Sequence, residues 1–89
     1  MDVELDPAKS EANGAKHGID FHEAMALWDD ENRLEIPART TGEPRSMVIG
    51  RIASRHWSAV VTYRGEKTRS VSVRRSRLEE VQLYEGQGK

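Results

Sequence analysis

The sequence predicts one small α+β domain, and three observations support this prediction. Helical patterns fill the first third of the chain, strand patterns joined by short polar connections follow, and a last helical pattern closes it. A chain of 89 residues is long enough for one hydrophobic core and too short for two. We therefore expect a single domain over residues 1–85, with helices on one face of a three- to four-stranded antiparallel sheet, and a disordered tail over residues 86–89.

The N-terminal segment predicts a short strand and a helix. Apolar and acidic residues alternate over residues 2–6, which is typical of a half-buried strand. Asp6-Pro7 suits the start of a helix, because Asp caps free N–H groups and Pro is tolerated at the first helical position. Gly18 suits its end. The small side chains expected to face the sheet are those of Ala8, Ala12 and Ala15.

A second helix is predicted to start at Asp20. Glu23 follows three residues later, which is the spacing of a capping box. Behind this start, apolar residues recur at the spacing of one helix face. The residues expected in the core are Phe21, Ala24, Met25 and Trp28.

The remainder of the chain predicts strands and a closing helix. Leu34–Ile36 is a short strand pattern before an irregular stretch at 37–46, where prolines oppose regular pairing. An antiparallel meander follows, because residues 54–56 and 64–67 are short polar connections. Its strands are Met47–Ala53, Trp57–Tyr63 and Thr68–Val73. The last helix is predicted from a capping box of Ser76 with Glu79 and an inward stripe of Leu78, Val81 and Tyr84.

Several classes of protein are disfavoured by features that the sequence lacks. It has no cysteine, no apolar run near the ~20 residues of a membrane span and no secretory signal, so we expect a cytoplasmic chain. No nucleophile elbow or phosphate loop supports acyl transfer or nucleotide hydrolysis. His17, His22 and His56 lack the spacing of a helical metal site, so we expect no metal and no other cofactor.

Charge is distributed unevenly along the chain. Residues 1–36 carry ten acidic and three basic side chains, whereas residues 37–89 carry eleven basic and five acidic ones. Arginine pairs bidentately with phosphate, so the basic part has the composition of a nucleic-acid contact. A solvated sheet edge protected by charge is the other interpretation of the same composition.

Two groups of residues carry a resemblance to a known family. The first is Leu5-Asp6-Pro7-Ala8-Lys9, Asn13, Lys16-His17-Gly18-Ile19-Asp20-Phe21, Ala24 and Trp28-Asp29-Asp30. The second is Arg45, Ile49-Gly50-Arg51, Val60-Val61-Thr62-Tyr63, the stretch 69–75, Glu80 and Tyr84. Over residues 3–85 the sequence therefore resembles the BrnT toxins, the ribonuclease half of the BrnT/BrnA type II toxin–antitoxin systems.

The resemblance implies a RelE-like fold and metal-independent cleavage of RNA, which would inhibit translation. It also implies RNA as substrate and a BrnA-like ribbon-helix-helix antitoxin, through which operator DNA is contacted. The candidate catalytic residues on this basis are Lys16, His17, Arg51, Arg74 and Glu80. The candidate RNA-binding residues are Arg45, Arg69, Arg75 and Tyr84.

These residue types suit cleavage in which the 2′-hydroxyl of RNA is the nucleophile. The protein then holds an in-line geometry, moves two protons and stabilises charge on the phosphorane. We expect Arg51 and Arg74 to bind phosphate oxygens. His17, or Glu80 with a pKa raised by burial, would serve as acid or base, and substitution of Arg74 should hardly change folding. The orienting groups would be Lys16 and Tyr84.

Two other functions fit the same residues. A non-catalytic nucleic-acid-binding or regulatory module would keep the fold and the basic strand, and the last helix, which is less basic than is usual in the family, favours it. A purely structural partner of a DNA-binding protein is the third possibility. Expression of the chain alone separates them, because only the ribonuclease degrades RNA.

Overall fold

The computed structural model describes residues 2–4, 6–38, 45–64 and 67–86. The elements are β1 (Asp2–Glu4), α1 (Pro7–His17), α2 (Phe21–Ala24), a 3₁₀ helix (Met25–Asp29), β2 (Leu34–Ala38), β3 (Arg45–Ile52), β4 (Arg55–Arg64), β5 (Lys67–Arg75) and α3 (Leu78–Gly86). The five strands form one sheet in the order β1-β5-β4-β3-β2, in which β1 is parallel to β5 and the other neighbours are antiparallel. The α+β class, the short first strand and the antiparallel meander are as predicted, whereas the sheet has five strands rather than three or four, because β1 also joins it, parallel to β5.

Helix α1 begins and ends where the sequence predicts. The Asp6 carboxylate accepts the N–H groups of Ala8 and Lys9 at 3.0 and 3.4 Å. Gly18 ends the helix in the left-handed conformation, with φ of 79°. A β-carbon is disfavoured in this conformation, which explains the glycine.

The expected inner face of α1 is wrong. Its three alanines at positions 8, 12 and 15 are exposed, and Ser10 and Asn13 are buried instead. Ser10 Oγ accepts the N–H of Phe21 at 2.9 Å, and the Asn13 amide bonds both the N–H and the C=O of Val73 at 3.1 and 2.9 Å. Helix α1 therefore docks through polar side chains that satisfy backbone groups, a contact that apolar periodicity does not indicate.

The second helical segment starts with the predicted capping box but changes pitch. Asp20 and Glu23 exchange the two expected bonds at 2.8 and 3.1 Å. From Met25 the chain continues as a 3₁₀ helix, whose three residues per turn bring Leu27 to the inner face. Met25 is 42% exposed, so its predicted place in the core is wrong, whereas Trp28 is half-buried and packs against the core from its edge.

The hydrophobic core lies on one face of the sheet. Val48, Ala59 and Val73 stand side by side on β3, β4 and β5. Phe21 and Leu27 pack against them, and both are 1% exposed. The helices that precede the meander thus cover this face, which we call the core face.

The strands extend further than their sequence patterns predict. Pro37 lies within β2, opposite Ser46, because β2 is an edge strand on which a missing N–H is tolerated. The β3–β4 connection is only Ala53-Ser54, with Ala53 at φ of 57°, so Arg55 and His56 belong to β4. Predicted loop residues 39–44, the connection at 65–66 and tail residues 87–89 lie outside the described residues.

Helix α3 covers the opposite face of the sheet, which corrects the expectation of helices on one face. Ser58 and Arg74 are the neighbours of the core residues Ala59 and Val73, so strand alternation turns them away from the core. Both side chains bond Glu80 of α3. We call this second face the polar face.

The register of α3 also differs from the prediction. The helix begins at Leu78, and the Glu80 carboxylate accepts the N–H of Arg77 at 2.9 Å, so the expected pair of Ser76 with Glu79 is wrong. Because Glu80 is fixed by the sheet, Tyr84 one turn later is buried as predicted, whereas Leu78 is 72% exposed. Among the described residues, no helix is long and apolar enough to cross a membrane.

Candidate active site

The centre of the polar face is an ion pair between β5 and α3. Arg74 donates from Nη1 and Nη2 to the two carboxylate oxygens of Glu80 at 2.8 and 2.7 Å. Ser58 Oγ and the N–H of Arg77 also donate to Glu80 Oε1, both at 2.9 Å. The Glu80 carboxylate therefore has four donors, although the residue is only 7% exposed.

These donors decide the charge state of the pair. The guanidinium of Arg74, helped by Arg77 N–H and Ser58, outweighs burial and lowers the pKa of Glu80 to about 2. The pKa of Arg74 is raised by the same contact. The expectation that burial raises the pKa of Glu80 is therefore wrong, because the carboxylate is buried together with its counterion.

A second cluster stands where β2 stops pairing with β3. The last pair is Leu34 with Ile49, and beyond it Asp30 Oδ2 accepts the N–H of Arg51 at 2.8 Å. The same oxygen accepts the hydroxyl of Tyr84 from α3 at 2.6 Å. Asp30 thus joins the end of the 3₁₀ helix, the edge of β3 and the last turns of α3.

Protonation in this second cluster is well defined. Burial alone would raise the pKa of Asp30, but the bonds from Tyr84, Arg51 and Asn32 together lower it. Burial and then the bond to Asp30 raise the pKa of Tyr84 to about 12. At neutral pH the site therefore holds a carboxylate and a protonated phenol whose hydrogen points at that carboxylate.

Gly50 lies between Leu27 of the core and the Asp30 carboxylate of this cluster. A β-carbon at this position would lie 2.9 Å from Leu27 Cδ2 in the core and 3.4 Å from Asp30 Oδ2. A real β-carbon essentially never approaches another atom to 2.9 Å. A side chain at position 50 would therefore collide with Leu27, whereas Asp30 would remain at the limit of ordinary van der Waals contact.

Arg51 stands at an open cavity beside Tyr84. The cavity has a volume of about 220 Å³ and is lined by Asn32, Arg51, Tyr84 and Glu85. The Arg51 side chain is exposed, and within the described part of the chain its guanidinium has no hydrogen bond or ion pair, although its charge helps to lower the pKa of the nearby Asp30. It is therefore available to an anion from solution.

His56 completes the wall behind this cavity. It pairs across the strands with Arg51, and its ring meets the Tyr84 ring edge-on at 5.3 Å. Its Nε2 lies 3.7 Å from Glu85 Oε1 and has no hydrogen-bond partner among the described residues. The imidazole fixes the tyrosine ring from one side while Asp30 holds its hydroxyl.

Four of the nine candidate residues lie on the polar face as two separate pairs, Arg74 with Glu80 and Arg51 with Tyr84. Lys16 and His17 lie elsewhere, at the end of α1 beside Val71 and Ser72. Arg75 stacks its guanidinium over Trp57 at 5.6 Å. The others lie on the strands, Arg45 at the start of β3 and Arg69 opposite Thr62.

Sequence reasoning assigned no site role to Asp30, His56 or Ser58. Asp30 is part of the Trp28-Asp29-Asp30 string of the resemblance. Nothing in the sequence indicates that its carboxylate reaches the edge of β3, because that contact depends on where β2 stops pairing. A two-residue hairpin would have placed His56 opposite Arg51, but the connection was predicted to be longer. In the part of the chain that the structure describes, no three His, Cys, Asp or Glu side chains form a group that could hold a metal ion.

Fold and site together define a small α+β domain whose cavity presents an exposed arginine, a side chain that can pair with phosphate, beside a phenol and a carboxylate. The family described as "Ribonuclease toxin, BrnT, of type II toxin-antitoxin system" matches residues 5–80. The chain belongs to this BrnT family, so the resemblance seen in the sequence is confirmed. No individually curated protein matches the sequence.

Proposed function

We propose that this chain is a metal-independent endoribonuclease with a RelE-like fold, and that it inhibits translation by cleaving RNA. The observation that carries the proposal is the Arg51 guanidinium, which is exposed and unpaired among the described residues at the mouth of the cavity beside Tyr84. Family membership supplies the reaction class, since BrnT proteins are ribonuclease toxins of type II systems.

Arg51 is the group best placed to bind the scissile phosphate. Its planar guanidinium fork can hold two phosphate oxygens while charge develops on the phosphorane. The Arg51 backbone is fixed by the bond from its N–H to Asp30 at 2.8 Å, so only the side chain has to order when RNA binds.

Tyr84 is placed to orient the 2′-hydroxyl of the ribose. Because its own hydrogen is directed to Asp30, the Tyr84 oxygen has lone pairs left to accept a hydrogen bond. RNA supplies the nucleophile: the 2′-oxygen attacks the phosphorus as the bond from phosphorus to the 5′-oxygen breaks, while water takes the 2′-hydroxyl proton and gives a proton to the 5′-oxygen. Holding the 2′-hydroxyl in line with the phosphate is itself a large part of catalysis. Asp30 acts in this proposal as a positioning residue for both Tyr84 and Arg51.

Arg74 and Glu80 support this site rather than transfer protons. A carboxylate with a pKa of about 2 and four donors is a poor base at neutral pH. Both terminal nitrogens of Arg74 donate hydrogen bonds to that carboxylate, and the Arg74 side chain is 23% exposed. The pair therefore holds α3, and with it Tyr84, against the sheet.

The proposal is tested by cleavage of RNA with purified protein in excess chelator. Arg51→Ala should lower the rate by about 100- to 1000-fold, as loss of a preorganised charge-stabilising donor does. Arg55→Ala is the matched control, because it removes an exposed arginine of the same hairpin that pairs with Ile52 on the core face. The products should carry a 2′,3′-cyclic phosphate and a 5′-hydroxyl.

Three results would contradict the proposal. Equal rates for Arg51→Ala and wild type would remove Arg51 from the site. Cleavage that stops in chelator and leaves a 5′-phosphate would overturn the mechanism. Tight RNA binding with no cleavage by the wild type would favour the non-catalytic binding module.

We propose further that a BrnA-like ribbon-helix-helix antitoxin neutralises the toxin in the cytoplasm and carries the operator-DNA contact. An unpaired arginine at an open cavity attracts RNA, so inhibition is simplest if the partner covers it. Modification by an arginine-selective reagent should then label Arg51 in the free toxin and spare it in the complex. Equal labelling would exclude occlusion of the cavity.

A further inference from the structure

A second cationic feature lies outside the proposed active site, in a groove between α1 and β5. Its volume is about 400 Å³. Lys9 and Lys16 are seven positions apart on α1 and therefore share one side of the helix, and His17 lies next to Lys16. Val71 and Ser72 of β5 contribute to the opposite wall.

The groove exists because the outer edge of β5 is only partly covered. Strand β1 pairs with Lys67–Arg69, and Asn13 satisfies the backbone of Val73. The register shifts where Val60 pairs with Ser72 and Val61 with Ser70, which leaves Val71 as an extra residue between these two contacts. Helix α1 and this stretch of β5 line the groove between them.

The cations of the groove have no salt-bridge partner among the described residues. Among the described residues, the side chains of Lys9, Lys16 and His17 have no ion pair or hydrogen bond, and both lysines are exposed. The two ammonium groups raise the local positive potential, although the chain as a whole has a net charge of −1.

We infer that this groove is a second phosphate-binding subsite, which binds the RNA backbone at a phosphate distant from the bond that is cleaved. The inference rests on the proposed function for the identity of the ligand. Arg51 on β3 and Ser72 on β5 are two strand spacings apart, about 10 Å across the sheet, and four positions apart along β4, about 13 Å, so an RNA strand of several nucleotides can extend from the cavity to the groove. Lysine binds phosphate as a point charge and reads no base, so this subsite adds affinity without sequence preference.

With this role Lys16 and His17 take no part in the bond cleavage, although the family resemblance made them candidate catalytic residues. They bind substrate, whereas the groups around Arg51 act on the reacting phosphate. Their contribution should therefore be seen in RNA binding and in its dependence on salt.

The experiment measures binding of a ten-nucleotide 2′-O-methyl RNA, which has no free 2′-hydroxyl and cannot be cleaved by this mechanism. The double variant Lys9→Gln/Lys16→Gln should reduce the slope of log K against log salt by about 1.4, from about 0.7 for each single-strand phosphate contact. Because of this lower slope, the affinity of the double variant should rise roughly 20-fold less than that of the wild type when the salt concentration is lowered from 1 M to 0.1 M. Arg55→Gln removes one exposed charge elsewhere and serves as the control.

A three-nucleotide 2′-O-methyl RNA sharpens the result. This probe is too short to occupy both the cavity and the groove, so the wild type should bind the ten-nucleotide probe more tightly. The difference in affinity between the two probes should be smaller in the double variant. Thermal melting of each variant shows that the fold is retained, which is expected because both lysines are exposed.

The inference is overturned if the double variant keeps the wild-type slope or matches Arg55→Gln, or if the wild type does not bind the probe. It is also overturned if the double variant binds RNA normally but no longer binds polyglutamate, which would assign the groove to an acidic protein segment. Because the probe cannot be cleaved, a chain without nuclease activity can still show the groove effect. Failure of the proposed function is thus distinguishable from failure of this subsite.

Discussion

The two faces of the sheet are built from neighbouring residues of the same strands but by different physical means. On the core face, Ala59 and Val73 meet Phe21 and Leu27, and stability comes from apolar burial. On the polar face, Ser58 and Arg74 meet Glu80, and burial is tolerated because each polar atom has a partner. The core face therefore depends on volume, and the polar face depends on complete pairing.

The largest expected effect is on the core face. Phe21→Ala should lower the free energy of unfolding by about 3 to 5 kcal/mol, since it leaves a cavity among well-packed neighbours. Denaturant unfolding measures this loss, with Met25→Ala as the control because Met25 is 42% exposed. A loss for Met25→Ala as large as that for Phe21→Ala would mean that the 3₁₀ register is wrong.

On the polar face the largest effect should follow removal of one partner of the ion pair. Arg74→Ala leaves the Glu80 carboxylate buried without its counterion, and we expect a loss of about 3 kcal/mol in the free energy of unfolding. The sequence alone suggested that folding would hardly change, and the contact with Glu80 reverses that expectation. The double variant Arg74→Met/Glu80→Leu should lose less than Arg74→Ala, because no charge is left unpaired.

Acid should distinguish the two faces without any change in core packing. The pKa of Glu80 is lowered from 4.5 to about 2, so its contribution is fully present above pH 4.5 and is lost as the pH falls towards 2. Wild type should therefore lose about 3 kcal/mol more than Glu80→Gln between pH 5 and pH 2. Parallel acid profiles for the two proteins would show that the carboxylate is not held as described.

The smallest effect should come from the hydroxyl at the cavity. Tyr84→Phe keeps the buried ring but removes the bond to Asp30 at 2.6 Å, and we expect a loss of about 1 to 2 kcal/mol. Asp30 keeps the N–H of Arg51, which limits the damage. Urea titration of Tyr84→Phe beside wild type measures the difference, and a loss equal to that of Phe21→Ala would contradict this account.

The predictable part of the fold was local. The capping residues Asp6 and Asp20, and the left-handed Gly18, act through neighbours only a few positions away. Residues 21 and 24 were placed correctly in the core, but the change to a 3₁₀ helix at Met25 moved the remaining positions. Helix pitch in so short a segment is decided by packing, which a periodicity does not contain.

The side of the sheet on which α3 packs depends on long-range pairing. Arg74 looked like an exposed arginine on a polar edge, and its carboxylate partner lies six positions later on another element. Arg51 and Tyr84 were nominated from the resemblance, but the carboxylate that links them is Asp30, 54 positions before Tyr84. Such a contact follows only from the complete topology.

Gly50 gives the two faces a shared evolutionary constraint. The space that a β-carbon of residue 50 would occupy is bordered by Leu27 on the core face and by the Asp30 carboxylate, which holds Arg51 and Tyr84. A β-carbon there would press on Leu27 and would just touch the Asp30 carboxylate, so a substitution that shifts this core residue acts next to the group that holds Arg51 and Tyr84. Selection for a well-packed core and selection for the geometry around Asp30 therefore act on the same residue.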